Sequence, residues 1–188
     1  MSLSPSAKKI CTFAVEHFAE FGYDASSLTV IAEQAGMRKA SLYAHFANKD
    51  GLFNEVMDIA LREERLAASN AFAAESGVPL PGGEYLNALH TRYASSPDFR
   101  FLLRTVYAPP LALREDVITK YRLFEADLRS LFIAALPRSL DPHNATTLVD
   151  AYLGIVDSLQ VELIYNSPEN YEARHRALWE ILQRYPIS

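Results

Sequence analysis

A cluster of polar side chains lies between Gly36 and Phe53. It carries a guanidinium, an amine, a hydroxyl, a phenol and an imidazole within eight positions, on Arg38, Lys39, Ser41, Tyr43 and His45. Arginine and lysine pair with guanine or phosphate, and the other three types donate hydrogen bonds to phosphate oxygens. The stretch from Gly36 to Lys49 has three cations and no carboxylate. It is therefore a local basic patch, as contact with a nucleic acid requires.

Two short helices joined by a tight turn are predicted to hold this cluster. Ser26 and Ser27 are both suited to cap a helix that ends in Gly36, and a further helix is predicted over 37–46. The turn between them is the tripeptide Ala-Gly-Met at 35–37. This spacing is typical of a helix-turn-helix, whose second helix enters the major groove of DNA.

The second helix of the pair has one apolar face. Leu42 and Phe46 are spaced i, i+4 and are expected to face the core, which turns Lys39, Tyr43 and His45 outward. Taken alone, this pattern leaves two interpretations open. The polar face either contacts DNA or is an ordinary solvated face.

The rest of the chain shows helix signals and no strand pattern. Apolar residues at helical spacing predict an amphipathic helix over 6–21, and Asn48 is suited to cap a helix that begins at Lys49. After a break at 75–84, five further helices are expected, of which three begin with a cap followed by proline. These starts are Ser96-Pro97, Asp141-Pro142 and Ser167-Pro168. The predicted fold class is all-α with about nine helices and no repeat.

The composition argues against several classes of protein, namely disulfide-bonded, cysteine-zinc and membrane proteins. The chain has 188 residues, a formal net charge of −5 and one cysteine, Cys11, so an intramolecular disulfide is excluded and a cysteine zinc site is not expected. The first 50 residues carry five basic and five acidic residues, so the excess of negative charge lies in the later part. No apolar run is long enough for a bilayer and no signal peptide is present, which predicts a cytoplasmic protein without membrane contact.

The segment from Phe18 to Met57 resembles the DNA-binding domain of the TetR family of transcriptional regulators. The matching positions are Phe18, Phe21-Gly22-Tyr23, Ile31-Ala32, Ala35-Gly36, Leu42-Tyr43, His45-Phe46, Lys49 and Leu52. The resemblance covers about residues 6 to 60, and beyond it only length and helical organisation agree. It implies a helix-turn-helix domain at 1–50 and a helical effector-binding and dimerisation domain at 51–188. It further implies a homodimeric repressor that binds a palindromic operator on double-stranded DNA and is released by a small molecule.

The resemblance also assigns DNA contacts position by position. They fall on Ser27, Thr29, Arg38, Lys39, Ala40, Ser41, Tyr43, His45 and Lys49. In this assignment Lys49 clamps a phosphate. Lys39 and Ala44 depart from the usual residues of the family, a difference expected to change base preference rather than DNA binding itself.

The middle helices are rich in aromatic residues with interspersed polar groups, where the family holds an effector pocket. An apolar cavity with a few polar groups suits a hydrophobic or aromatic small molecule. The candidate lining is Tyr85, His90, Tyr93, Phe101, Arg104, Tyr107, Tyr121 and Phe124. The alternative interpretation is an ordinary helical core.

The last two helices carry apolar stripes that the resemblance assigns to a dimer interface. A single helix-turn-helix reads a few base pairs, whereas two of them about 34 Å apart read a palindrome. The candidate interface is Tyr152, Ile155, Leu159, Leu163, Leu178, Trp179 and Leu182. The alternative is that these stripes pack within one chain.

Two other functional classes were weighed. Ser41 and His45 are one helical turn apart, but no nearby carboxylate would orient the histidine for nucleophilic catalysis. A di-metal helical bundle needs two Glu-x-x-His units, and only Glu172 with His175 has that spacing. The sequence therefore predicts no enzyme, no cofactor and no metal. A helical interaction module that does not bind DNA remains the other alternative.

Overall fold

A computed structural model describes residues 3–75 and 77–186 of the chain. In these ranges it contains nine α-helices, one short 3₁₀ turn and no strand, which confirms the predicted all-α class. The helices are α1 Pro5–Ala25, α2 Leu28–Gln34, α3 Lys39–Tyr43, α4 Lys49–Ala74, α5 Gly83–Ser95, α6 Pro97–Tyr107, α7 Arg114–Ala135, α8 Pro142–Ile164 and α9 Pro168–Gln183, with the 3₁₀ turn at Leu111–Leu113. None of the described helices is long and apolar enough to cross a bilayer. Residue 76, in the predicted break, lies outside the described residues.

Caps followed by proline start several helices as predicted. The hydroxyl of Ser96 accepts from the Phe99 amide at 3.2 Å, and the carboxylate of Asp141 accepts from the first amides of α8. Because proline has no N–H and a fixed φ, it fits the first turn of a helix, where amides have no helical partner. The predicted starts at Pro97, Pro142 and Pro168 are confirmed, although Ser167 makes no side-chain cap bond.

The chain forms two compact units, and α4 and α7 contribute to both. The first comprises Met1–Glu63 with Ser96–Tyr121, and the second comprises Glu64–Ser95 with Arg122–Ser188. The first unit therefore contains α6 as well as the N-terminal helices. The functional division at residues 50 and 51 stays a prediction.

An aromatic cluster forms the core of the first unit. The ring centre of Phe53 in α4 lies 5.1 Å from that of Phe18 in α1 and 5.2 Å from that of Phe101 in α6. All three side chains are buried. Edge-to-face contacts of this kind stabilise a core beyond the burial of apolar area. The cluster fixes α1, α4 and α6 against one another, and with them the ends of the α2–α3 segment.

The second unit is built around Tyr152. Its ring stacks on Phe132 with 4.5 Å between centres, and its hydroxyl donates to the carbonyl oxygen of Gly82 at 3.1 Å. Gly82 has φ +99°, and a Cβ there would lie 2.5 Å from the Tyr152 ring. Only glycine allows both this backbone conformation and this approach.

Candidate nucleic-acid interface

The turn between α2 and α3 follows from one glycine. The amide of Met37 donates to the carbonyl of Ala32 at 2.8 Å, and the amide of Gly36 donates to that of Glu33 at 2.9 Å. These two bonds form a Schellman motif, with Gly36 in the left-handed region at φ +67°. The motif ends α2 sharply and directs the chain into α3, as the predicted helix-turn-helix requires.

Helix α3 is shorter than the predicted span of 37–46. Met37 completes the turn, and Arg38 has extended backbone at the N-cap position. After Ala44 the chain tightens, because the His45 amide donates to the carbonyl of Leu42, three residues earlier, at 2.9 Å. The predicted inward face is present nonetheless: Leu42 is fully buried and Phe46 is nearly so.

The predicted polar face is exposed. The side chains of Arg38, Lys39, Ala40, Ser41, Tyr43 and His45 all lie at the surface. The Lys39 ammonium stands 5.9 Å from the centre of the Tyr43 ring. No ion pair found within 3–75 and 77–186 involves Arg38 or Lys39. Their charges are thus free to meet an anionic partner.

Ser27 and Thr29 are half-buried at the start of α2. Ser27 holds the N-cap position, but its hydroxyl makes no cap bond to the helix. Its backbone amide instead donates to Nε2 of His17 at 3.4 Å. The Ser27 hydroxyl is therefore not used by its own helix.

His17 was not among the predicted site residues. Its side chain is buried against the ring of Phe21, with 4.7 Å between ring centres. Burial lowers the pKa of His17, which favours the neutral ring that can accept at Nε2. No local sequence signal marks this role, since the contact joins residues ten positions apart.

Lys49 lies against the end of α1. Its Nζ lies 2.7 Å from the carbonyl oxygen of Tyr23, 3.2 Å from that of Ser26 and 3.3 Å from that of Asp24. It also stands 4.3 Å from the centre of the Tyr23 ring. An ammonium has three donors, and all three are directed at the end of α1. In this conformation the ammonium is engaged by the end of α1, and the phosphate clamp stays a prediction.

A second contact joins the same two helices. The Tyr23 hydroxyl donates to the Asp50 carboxylate in the first turn of α4. Burial, together with the hydrogen bond to Asp50, raises the pKa of Tyr23 to about 12. Asn48 caps α4 as predicted, because its Oδ1 accepts from the Gly51 amide at 2.8 Å. The start of α4 is therefore anchored on the end of α1.

Arg104 also holds the end of α1. Its Nη1 donates to the carbonyl of Glu20 at 2.9 Å and to that of Ala19 at 3.3 Å. The guanidinium passes Gly22, where a Cβ would lie 3.1 Å from it. Gly22 has φ +74° and ψ 178°, a conformation that only glycine adopts readily. Arg104 was predicted to line an effector pocket, and its observed contacts are with α1 instead.

The eight predicted pocket residues are divided between the two units, and their grouping into one effector pocket stays a prediction. Phe101, Arg104, Tyr107 and Tyr121 belong to the first unit, whereas Tyr85, His90, Tyr93 and Phe124 belong to the second. Phe101, Tyr85 and Phe124 are core residues. A groove of about 530 Å³ in the second unit is lined by Phe124 together with residues of α4 and α7.

A charged network lies inside the second unit. The Glu64 carboxylate is 1 % exposed. It accepts from the Tyr85 hydroxyl at 2.6 Å and pairs with the Arg92 guanidinium. A buried carboxylate needs such partners, because an unpaired charge in the interior is strongly destabilising. The sequence contained no periodic signal that singled out Glu64.

The predicted dimer residues are mostly covered by their own chain. Tyr152, Ile155, Leu159, Leu163 and Leu182 are buried, and Leu178 and Trp179 are half-buried. A partner chain cannot reach the buried five without unfolding the unit. The exposed positions of the same helices include Ala151, Gly154 and Ala177, with Ile181 66 % exposed. These five side chains therefore pack inside the second unit, and a dimer interface on the two helices stays a prediction.

Comparison with known proteins agrees with the helix-turn-helix architecture. Residues 10–56 match the model of "Bacterial regulatory proteins, tetR family". The chain is 34% identical over 64 residues to the uncharacterized HTH-type transcriptional regulator YhgD of Bacillus subtilis, a match covering 34% of each protein. It is 34% identical over 85 residues to the HTH-type transcriptional repressor ComR of Escherichia coli, covering 44% of this chain and 40% of ComR. The matched stretch therefore spans well under two thirds of either relative.

The fold similarity extends over nearly the whole chain. A transcriptional regulator from Aquifex aeolicus superposes with a TM-score of 0.70 at 17% identity, over 95% of this chain and 98% of that one. The fold and the exposed basic helix define a helix-turn-helix protein. Residues 10–56 are therefore similar to the tetR family of bacterial regulatory proteins, and the remainder of the chain shares the fold of the superposed regulator. Both sequence relatives are named as transcriptional regulators.

Proposed function

We propose that this chain is a DNA-binding transcriptional regulator whose helix α3 enters the major groove. The observation that supports this most directly is the exposed face of α3. It presents unpaired Arg38 and Lys39 to solvent while Leu42 and Phe46 anchor the opposite face. A basic helix of this kind, held by a rigid neighbour, suits direct contact with base edges.

The proposed contacts fall into two groups, those with base edges and those with phosphates. Arg38 and Lys39 contact base edges, and Ala40 lies close enough to the groove for apolar contact with a base. Hydroxyl, phenol and imidazole groups bind the phosphates on either side. These groups belong to Ser27, Thr29, Ser41, Tyr43 and His45. Lys49 holds the start of α4 against the end of α1, and its predicted phosphate contact is kept as a further member of the proposed set.

The proposed assembly is a homodimer on a palindromic operator. Two copies are needed because one helix-turn-helix reads only a few base pairs. The outward faces of α8 and α9 are proposed as the interface, since small and apolar residues such as Gly154, Ala177 and Ile181 are exposed there. Repression is proposed by analogy with ComR, which is named as a repressor. The site of action is then the cytoplasm, where bacterial DNA lies.

A small hydrophobic or aromatic effector is proposed to release the DNA. The groove in the second unit supports this, because Ala68, Phe124 and Leu128 give it an apolar lining and its volume of about 530 Å³ suits a small molecule. Release requires that the effector bind the DNA-free conformation more tightly than the DNA-bound one.

The test is a selection from random duplexes with the purified full-length chain. We expect enrichment of a palindrome whose affinity falls steeply with added salt. Lys39→Ala should alter the preferred bases, with Glu33→Gln on exposed α2 as the matched surface control. If no duplex shows salt-sensitive affinity, the chain is a helical interaction module that does not bind DNA.

A further inference from the structure

A cavity of about 640 Å³ opens in the first unit, apart from the α3 face. It lies between α1, α4 and the beginning of α6. Its floor is formed by Cys11, Val15 and Val56, all of which are at least 95 % buried. An apolar floor of this size accommodates the body of a small organic molecule.

The rim of the cavity carries more negative than positive side chains. It has four carboxylates, from Glu16, Glu55, Glu63 and Asp98, against two cations, from Lys8 and Arg62. None of these six side chains takes part in an ion pair within the described residues. Two cations offset two of the four carboxylates, so the rim keeps a net charge of −2.

The Cys11 thiol adds a polarisable group to the floor. It is free, 4 % exposed and lines the cavity. Burial, with a smaller effect from the Glu55 charge, raises the pKa of Cys11 to about 12, so the floor stays uncharged at neutral pH. A neutral, soft surface below a ring of carboxylates favours a molecule with an apolar body and a positively charged head.

We infer that this cavity binds a small organic cation, with its apolar body on Cys11, Val15 and Val56 and its ammonium group against the rim carboxylates. Charge complementarity carries the inference, because the net negative charge of the rim repels an anion and attracts a cation, and a neutral molecule gains nothing from it. Two helices that border the cavity, α1 and α4, also hold the α2–α3 segment through Lys49 and Tyr23. A bound cation is thus placed to change DNA affinity, a consequence that rests on the proposed function.

The first experiment measures binding without DNA, by isothermal titration calorimetry on the full chain. The probe is benzyltrimethylammonium, compared with neutral benzyl alcohol and anionic benzoate. Only the cation should bind. Glu55→Gln and Asp98→Asn should each weaken it about threefold to fivefold, as expected for one partly exposed charge pair. Glu33→Gln, on exposed α2 outside the cavity, should leave affinity unchanged.

The second experiment locates the probe. Methyl NMR signals of Val15 and Val56, assigned through the variants Val15→Ala and Val56→Ala, report on the cavity floor. Saturating benzyltrimethylammonium should shift both signals, and benzyl alcohol at the same concentration should not. Absent binding, equal binding of the neutral probe, or unchanged valine signals would each overturn the inference.

A third measurement separates this site from the proposed regulator. Operator affinity is compared in benzyltrimethylammonium chloride and in sodium chloride at equal ionic strength. A shift that needs about threefold to fivefold more probe in Asp98→Asn shows coupling to DNA, and a shift that is unchanged in this variant contradicts it. Absence of DNA binding in either salt would reject the regulator function and leave the cation site to be judged by calorimetry and NMR.

Discussion

The Lys49 ammonium lies 2.7 Å from the carbonyl oxygen of Tyr23, and so a residue at the start of α4 caps the end of α1. The last carbonyls of a helix have no helical partner and carry partial negative charge. The cation of Lys49 satisfies that charge and ties together the two helices that flank the α2–α3 segment. We therefore expect any contribution of Lys49 to DNA binding to be structural.

Lys49→Ala is expected to lower the free energy of unfolding by about 2 kcal/mol, because hydrogen bonds to a charged group are lost. Urea denaturation followed by circular dichroism measures this. DNA affinity should fall, yet the slope of log affinity against log salt should stay at the wild-type value. The exposed Lys39→Ala is the matched control, with stability within about 0.5 kcal/mol of wild type. Unchanged stability with a slope smaller by about one unit would instead support a phosphate contact by Lys49.

Gly22→Ala is expected to destabilise the protein by about 1–3 kcal/mol, since a side chain there is strained at φ +74° and meets the Arg104 guanidinium. Thermal denaturation measures the change. Gly51→Ala, at a helical glycine in α4, is the matched control and should be neutral or slightly stabilising. If the double variant Gly22→Ala with Arg104→Ala is as unstable as the sum of the single variants, the guanidinium does not constrain Gly22.

Stability is expected to fall in alkali because several phenols are held neutral in the folded state. Burial, and next the charge of Glu64, raises the pKa of Tyr85 well above its ordinary value of 10, and burial with other effects raises those of Tyr23 and Tyr171 to about 12. A raised folded pKa stabilises below pH 10, and this stabilisation is lost as the pH rises further. Each such phenol should lower the free energy of unfolding by about 1.4 kcal/mol per pH unit above 10.

Urea denaturation at pH 9, 10 and 11 measures this dependence. Tyr85→Phe should be less stable than wild type at pH 9, because Glu64 loses a donor, but its stability should decline less steeply above pH 10. Equal slopes for the variant and wild type would show that Tyr85 ionises alike in the folded and unfolded states.

Variants of Ile181 and of the adjacent Leu182 should distinguish a loss of dimer assembly from a loss of folding stability. Ile181 is 66 % exposed and Leu182 is 6 % exposed. If the outward face of α9 forms the proposed interface, Ile181→Glu should convert the dimer to a monomer in analytical ultracentrifugation without changing the circular dichroism spectrum. Leu182→Ala should instead lower stability by about 2–5 kcal/mol through a core cavity. A dimer that survives Ile181→Glu would place the interface on another surface.

Local signals predicted the helices well because their ends are encoded by neighbouring residues. Asp141 with Pro142, and Gly36 after α2, act through bonds that span only a few positions. The contacts of Lys49 could not be predicted from the sequence, since a lysine ammonium can cap backbone carbonyls or bind a phosphate. Its contact with the carbonyl oxygen of Tyr23 depends on the tertiary structure. The same holds for Leu159, because an apolar stripe looks alike whether its own chain or a partner covers it. Phe101 and Arg104 could not be assigned to α1, since the contacts cross more than 80 residues.

Helices α2 and α3 have seven and five residues, far below the roughly 12–15 that a helix needs to persist alone in water. Even the amide that begins α2 is bound by His17 of another helix. We therefore expect the α2–α3 segment to have little stability of its own and to depend on its packing against α1. The helix proposed to contact DNA then owes its order to a neighbouring helix, and local unfolding of α1 would unfold it as well.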